Sequence, residues 1–251
     1  MVGVLLTCLR LPYDPDNPFE KHVHPQAFPA VVAITDLFTH LRPEDRAAWT
    51  KLPSQADLAD LARGIALGAG ASAAVLGVGM AKGWMSAPNW GWDDGLSREL
   101  VLGGIGVTSA QEAMLVFNEE QIFRGYGLDT LQAAVGLPAA VAISVALFAR
   151  SHGPGWKRFF GLSAAGLFLA LLRIKTGNLW LAAGFHYGWN IVQRSIFGPE
   201  DGAPSLRPLR LHGPTAWVGR PAHPEPGWLH ILATLLLVVL AGLWLRRGRN
   251  R

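Results

Sequence analysis

The chain is poor in charge and almost without cysteine. Asp, Glu, Lys and Arg make up only 16% of its 251 residues, against roughly a quarter in soluble domains. Cys8 is the sole cysteine, which excludes an intramolecular disulfide and any zinc cluster built on cysteine. It follows Val4-Leu5-Leu6-Thr7, but no basic stretch precedes that short apolar run and threonine is a poor residue before a cleavage point. A cleaved lipoprotein signal is therefore not expected. Internal repeats and low-complexity tracts are also missing. The pI near 9.6 does not point to nucleic acid. The basic residues are scattered through loops and gathered in the tail Arg246-Arg247-Gly248-Arg249-Asn250-Arg251, which reads as a cytoplasmic anchor.

What the chain has instead is apolar length. Half of its residues are hydrophobic and ten are tryptophan, and several segments reach or approach the roughly 20 residues a helix needs to span a bilayer. The expected fold is an all-α polytopic membrane protein, a bundle of about six transmembrane helices around a polar intramembrane cavity, in the plasma membrane of a prokaryote. The expected spans are 58–80, 99 to about 124, 133–150, 159–174, 179–196 and 228–245. The first carries Gly64-x-x-x-Gly68, a small-residue stripe that lets membrane helices approach closely and would also permit pairing between copies. Residues 83–92 hold three tryptophans beside Pro88 and Gly91, which suits a loop at headgroup level. Residues 198–226 are rich in proline and glycine and read as a connecting loop.

Residues 1–57 form a polar extramembrane segment ahead of the 58–245 helical domain and the 246–251 basic tail. Within it Phe28, Val31, Val32, Thr35 and Phe38 recur at helical spacing, predicting a short amphipathic helix. His22 and His24 lack a third ligand nearby and read as a solvated loop. Six spans with the tail in the cytoplasm would put the N-terminus and the Arg173/Lys175 loop there too. Arg150, Lys157 and Arg158 would then fall on the opposite side, against the positive-inside tendency. A re-entrant segment or a different span count would resolve that conflict.

Three polar motifs interrupt the apolar sequence. The first is Asn118-Glu119-Glu120-Gln121-Ile122-Phe123-Arg124-Gly125, which ends the apolar run 101–117. Charges at membrane depth are costly and usually face a protein interior. Glu120 and Arg124, four apart, share a helical face and can pair. Glu119 is rotated by about 100°, so it is less neutralised by that arginine. The second motif is Phe148-Ala149-Arg150-Ser151-His152, and the third is His186-Tyr187-Gly188-Trp189-Asn190. Spacing of four places Phe148 with His152, and His186 with Asn190, on common faces. Each motif alone also fits a plain structural role: an ion pair at a helix end, an interfacial histidine, an interhelical hydrogen-bond clasp.

Taken in order, Glu119-Glu120-x-x-x-Arg124, Phe148-x-x-x-His152 and His186-x-x-x-Asn190 resemble the CAAX protease and bacteriocin-processing (CPBP, or Abi) family of intramembrane proteases, to which the type II CAAX prenyl endopeptidase belongs. The motifs match without a departure, and the resemblance covers roughly residues 58–245. It implies that Glu119 and His152 activate a water that attacks a peptide carbonyl. His186 and Asn190 would stabilise the oxyanion, and Glu120, Arg124 and Phe148 would support the site. The substrate it implies is a membrane-embedded or membrane-anchored peptide or protein. The family admits both metal-dependent and glutamate-dependent chemistry. If zinc is bound, Glu119, His152 and His186 are the plausible set. Without a His-Glu-x-x-His motif, no cofactor is favoured. The alternative is a non-catalytic membrane scaffold or bacteriocin-immunity-type protein in which the same residues only clasp helices. A carrier is disfavoured because the chain lacks two matching halves or paired broken helices.

Overall fold

The computed structural model describes residues 53–93, 95–199, 204–220 and 224–247. The amphipathic helix expected near Phe28, His22 and His24, Cys8 and the end of the basic tail lie outside the described residues. The elements in order are α1 (Gln55–Ala81), β1 (Met85–Ser86), α2 (Arg98–Glu120), a π-helical segment (Gln121–Tyr126), α3 (Gly127–Val135), α4 (Leu137–Ser151), α5 (Trp156–Thr176), α6 (Trp180–Ile191), a second π-helical segment (Val192–Ile196), β2 (Arg210–Leu211), α7 (Thr215–Val218) and α8 (Trp228–Arg247).

Local chemistry sets the helix starts. Ser54 caps α1 in a reciprocal box: its hydroxyl accepts from the Asp57 amide at 3.2 Å, and the Asp57 carboxylate accepts from the Ser54 amide at 2.9 Å. Ser97 caps α2 by accepting from the Leu100 amide. Between α3 and α4 stands Gly136 at φ 79°, a backbone conformation that favours glycine, with Pro138 in the first turn of α4. That break moves the start of the third expected helix from 133 to Leu137, and it lets the second run on through the π-helical segment to Val135.

Among the described residues, four helical stretches are long and apolar enough to cross a membrane: Gln55–Ala81, Arg98–Val135, Trp156–Thr176 and Trp228–Arg247. The expectation of six spans is therefore met at four. Helix α4 has 15 residues, about 22 Å of rise against a hydrocarbon core of ~30 Å. Helix α6 has 12 residues before its π-helical end. The shortness of α4 bears on the charge conflict as well, because Arg150, Lys157 and Arg158 flank the end of a helix too short for a full crossing.

Helices α1 and α6 pack backbone against backbone. A Cβ on Gly64 would strike the Leu181 carbonyl, and one on Gly68 the Phe185 carbonyl. In return, a Cβ on Gly184 would strike the Leu61 carbonyl and one on Gly188 the Ile65 carbonyl. The Gly64/Gly68 stripe is thus met inside the chain by a matching Gly184/Gly188 stripe, with backbone against backbone. Below it Phe168, Leu169, Leu172, Leu181, Phe185 and Trp189 build the main apolar core. Leu102, Leu147, Leu236 and Val239 face outward, about half exposed, as a lipid-facing surface requires.

The connections are more structured than their composition predicts. Strand β1, inside the tryptophan-rich loop, pairs antiparallel with β2, inside the 198–226 segment. Arg207 donates through Nε to the Ala87 carbonyl at 3.1 Å and lies over the Trp90 ring. The two loops close one end of the bundle together. At the other end Asn178 Nδ2 donates to Asp60 at 3.2 Å and the Lys175 ammonium sits over Trp244.

Gly184→Val should lower the thermal midpoint of the detergent-solubilised protein, since overpacking a dense contact costs about 1–3 kcal/mol. Gly70→Ala, on the open side of α1 with no atom within 4 Å, should leave that midpoint unchanged or slightly raised. Equal effects from both substitutions would contradict the α1–α6 packing.

Candidate active site

The end of α2, the π-helical segment, the end of α4 and the middle of α6 bring the three motifs together. Glu120 and Arg124 form the fixed centre. Arg124 Nη1 donates to Glu120 Oε1 at 3.0 Å, with both side chains almost wholly buried. Arg124 also donates to the Gly166 carbonyl at 3.4 Å and stacks its guanidinium 4.0 Å from the centre of the Phe148 ring. A glycine keeps this contact relaxed: a Cβ at position 166 would lie 3.0 Å from Phe148 and 3.2 Å from Arg124 Nη2, so either side chain would have to yield by a few tenths of an ångström.

The π-helical segment explains how this centre lies within a spanning helix. Gly125 leaves helical geometry (φ −91°, ψ −115°), and the wider turn disturbs the regular ladder of backbone bonds. The buried Ser144 hydroxyl on α4 donates to the Phe123 carbonyl, satisfying an acceptor that would otherwise be costly in an apolar setting.

The two histidines are held by their Nδ1 atoms. His186 Nδ1 lies 2.9 Å from Glu120 Oε1, and His152 Nδ1 lies 2.7 Å from the Phe148 carbonyl. Carboxylate and carbonyl oxygens only accept, so each Nδ1 carries a proton. Both Nε2 atoms turn toward Glu119. His152 Nε2 is 3.9 Å from Glu119 Oε1, and His186 Nε2 is 3.8 Å from Glu119 Oε2. These distances are too long for direct hydrogen bonds and of the size one water bridges. Glu119 and His152 are the accessible members, with side chains 32% and 27% exposed against 0% for Glu120.

Asn190 stands one turn beyond His186, and its Nδ2 donates to Glu112 Oε2 at 3.0 Å. Glu112 Oε1 in turn pairs with Arg194 Nη1 at 3.2 Å. The motifs overlooked Glu112 because it sits inside the run 101–117, read as apolar. Its sequence signal is the spacing of seven to Glu119, two helical turns that return to the same face of α2. Glu119, Glu120, Arg124, Phe148, His152 and His186 converge; Asn190 reaches the group through α6 and is bonded to Glu112. Among the described residues no three His, Cys, Asp or Glu side chains are set to hold a metal ion.

With this geometry in hand, comparison with known proteins yields one match. Residues 110–192 match the family model of type II CAAX prenyl endopeptidase Rce1-like proteins. The family suspected from the motifs is the family matched. The Rce1-like segment is a third of the chain and contains the residues of all three motifs and Glu112, but not Arg194. No curated protein and no solved structure matches the chain. The Rce1-like match and the four apolar helices fit an integral membrane protein of the CAAX-protease type.

Arg124→Ala should destabilise the fold by about 3–5 kcal/mol, because it strands the buried Glu120 charge. Adding Glu120→Gln should recover part of that loss, since a neutral amide is cheaper to bury than an unpaired carboxylate. Thermal midpoints of the single and double variants in detergent check the order; a double variant less stable than Arg124→Ala would refute the account.

Proposed function

We propose that the chain is an intramembrane endopeptidase that hydrolyses peptide bonds of membrane-embedded or lipidated substrates, using water activated by Glu119 and His152. The observation that carries the reading is the division of labour between the two adjacent glutamates. Glu120 is consumed by Arg124 and His186, whereas Glu119 is half-open and faces two histidine Nε2 atoms at 3.8–3.9 Å. Glu119 takes a proton from the water as its oxygen attacks the peptide carbonyl carbon. His152, its Nδ1 proton held by the Phe148 carbonyl, shares that proton through Nε2. The proton then passes to the departing amine as the C–N bond breaks. His186, its Nδ1 proton held by Glu120 and its cationic form balanced by the Glu119 carboxylate 3.8 Å from Nε2, offers Nε2–H to the oxyanion, and the second N–H of Asn190 assists.

The mechanism we favour uses no metal, because each role above is filled by a side chain. The orientation of the two imidazoles, each with its Nδ1 proton engaged, also suits ligation through Nε2, so zinc on Glu119, His152 and His186 is the reading to test against it. We further propose that α4 and α6 complete a bundle of six around a polar cavity, with the basic C-terminus cytoplasmic. A scaffold or immunity-type role finds support in the Glu120–His186 and Asn190–Glu112 contacts, which clasp α2 to α6.

The test uses the full chain in detergent with fluorescence-quenched lipidated peptides as probes. Glu119→Gln and His152→Ala should each lower cleavage by about a hundredfold or more while thermal midpoints stay near wild type. Full activity in Glu119→Gln would overturn the proposal, and no cleavage by any form would favour the scaffold. Elemental analysis of the same samples separates the chemistries: stoichiometric zinc in wild type, lost in both variants, would recast these residues as ligands.

A further inference from the structure

The contacts between α2 and α6 are built twice on one plan. In the first, a buried glutamate of α2, Glu120, is neutralised by Arg124 and holds the His186 ring by its Nδ1 proton at 2.9 Å. In the second, another buried glutamate of α2, Glu112, is neutralised by Arg194 and holds the Asn190 amide by Nδ2 at 3.0 Å. Glu112 is only 4% exposed, and neither it nor Arg194 belongs to any of the three motifs. A carboxylate at that depth is costly. For the mere clasping of two helices, an apolar pair or a neutral amide pair would serve at lower cost.

What a carboxylate does that a neutral group does not is choose. The Asn190 side chain can turn about its terminal bond and present either oxygen or nitrogen on a given side. Glu112 only accepts, so it admits the nitrogen and rejects the oxygen. Arg194 pairs with the other oxygen of Glu112 at 3.2 Å and so fixes the orientation of the carboxylate, which leaves Oε2 aimed at the amide. With Nδ2 held toward Glu112, its second N–H is left as the free donor of that amide.

We infer that Glu112 is a positioning residue that locks the Asn190 amide with its nitrogen inward, so that Asn190 donates to the reacting group, and that Arg194 holds the Glu112 carboxylate in the orientation this requires. The inference rests on the peptidase reading above for its catalytic consequence, but the lock itself is a property of the resting protein.

Two measurements keep these apart. The first needs no substrate. In the full chain labelled with ¹⁵N-asparagine in detergent micelles, the Asn190 side-chain signals are assigned by their loss in Asn190→Ala. One of the two Nδ2 protons, bonded to a carboxylate, should lie downfield of its partner, and Glu112→Gln should abolish that offset. An offset retained in Glu112→Gln would overturn the lock, whatever the protein catalyses. The second measurement follows cleavage of a fluorescence-quenched farnesyl-cysteine peptide. Glu112→Gln, nearly the same size, should lower kcat by about tenfold to a hundredfold with KM little changed. Arg194→Gln should act in the same direction and less strongly. In the Asn190→Ala background, Glu112→Gln should have no further effect, because its route to the reaction is gone. Losses that multiply in the double variant, or a fall in thermal midpoint that accounts for the lost activity, would make Glu112 a structural residue and overturn its positioning role. Failure of the wild type to cleave the peptide would count against the peptidase reading and against the catalytic half of this inference, while the resonance experiment still decides the lock.

Discussion

The Glu120–Arg124 pair, 3.0 Å apart with almost no exposure, is the constraint on which the rest of the structure depends. Two charges this deep are tolerable only if every neighbour is arranged to receive them. The arrangement recruits four elements. The π-helical segment carries the guanidinium, α4 supplies the Phe148 face, α5 supplies the Gly166 carbonyl, and α6 supplies the His186 imidazole. Both Arg124 and His186 bond the same oxygen, Glu120 Oε1, while Glu120 Oε2 and Arg124 Nε have no hydrogen-bond partner among the described residues, so the centre has no contact to spare. The pair therefore ties together the parts of the bundle that carry the candidate chemistry.

Rigidity at that centre contrasts with looseness beside it. Among the described residues Glu119 has no direct hydrogen-bond partner, only two imidazole nitrogens just under 4 Å away. A water-activating base needs such freedom, because a carboxylate already saturated by donors cannot take a proton. The adjacent glutamates differ in position by a single residue and about 100° of helical rotation. That rotation sends one into a sealed ion pair and leaves the other at an accessible edge with His152.

The close approach of α1 and α6 serves the same end from outside. Gly64, Gly68, Gly184 and Gly188 bring two backbones into contact, which fixes the depth and rotation of α6 against the bundle. His186 and Asn190 are mounted on that helix, so their aim toward α2 is inherited from glycine packing rather than from their own bonds alone. Small residues far from any chemistry thus set the geometry of residues that carry it.

Much of this was legible in the chain itself. Apolar length marked the helices, because a spanning helix must satisfy its backbone internally and present apolar side chains to lipid. Spacing of four paired Glu120 with Arg124 and placed His186 beside Asn190, because helical periodicity is local. The order of the three motifs pointed to the family that residues 110–192 match. The tertiary structure decided what spacing cannot carry. Only packing shows that Glu112, lost inside an apolar run, meets Asn190 across the bundle, or that the Gly64 stripe is spent on α6. The pairing of β1 with β2 depends on two loops more than a hundred residues apart meeting at one end. Local sequence determines the periodicity of each helix; which face meets which neighbour is settled only when all the helices compete for the same buried surface.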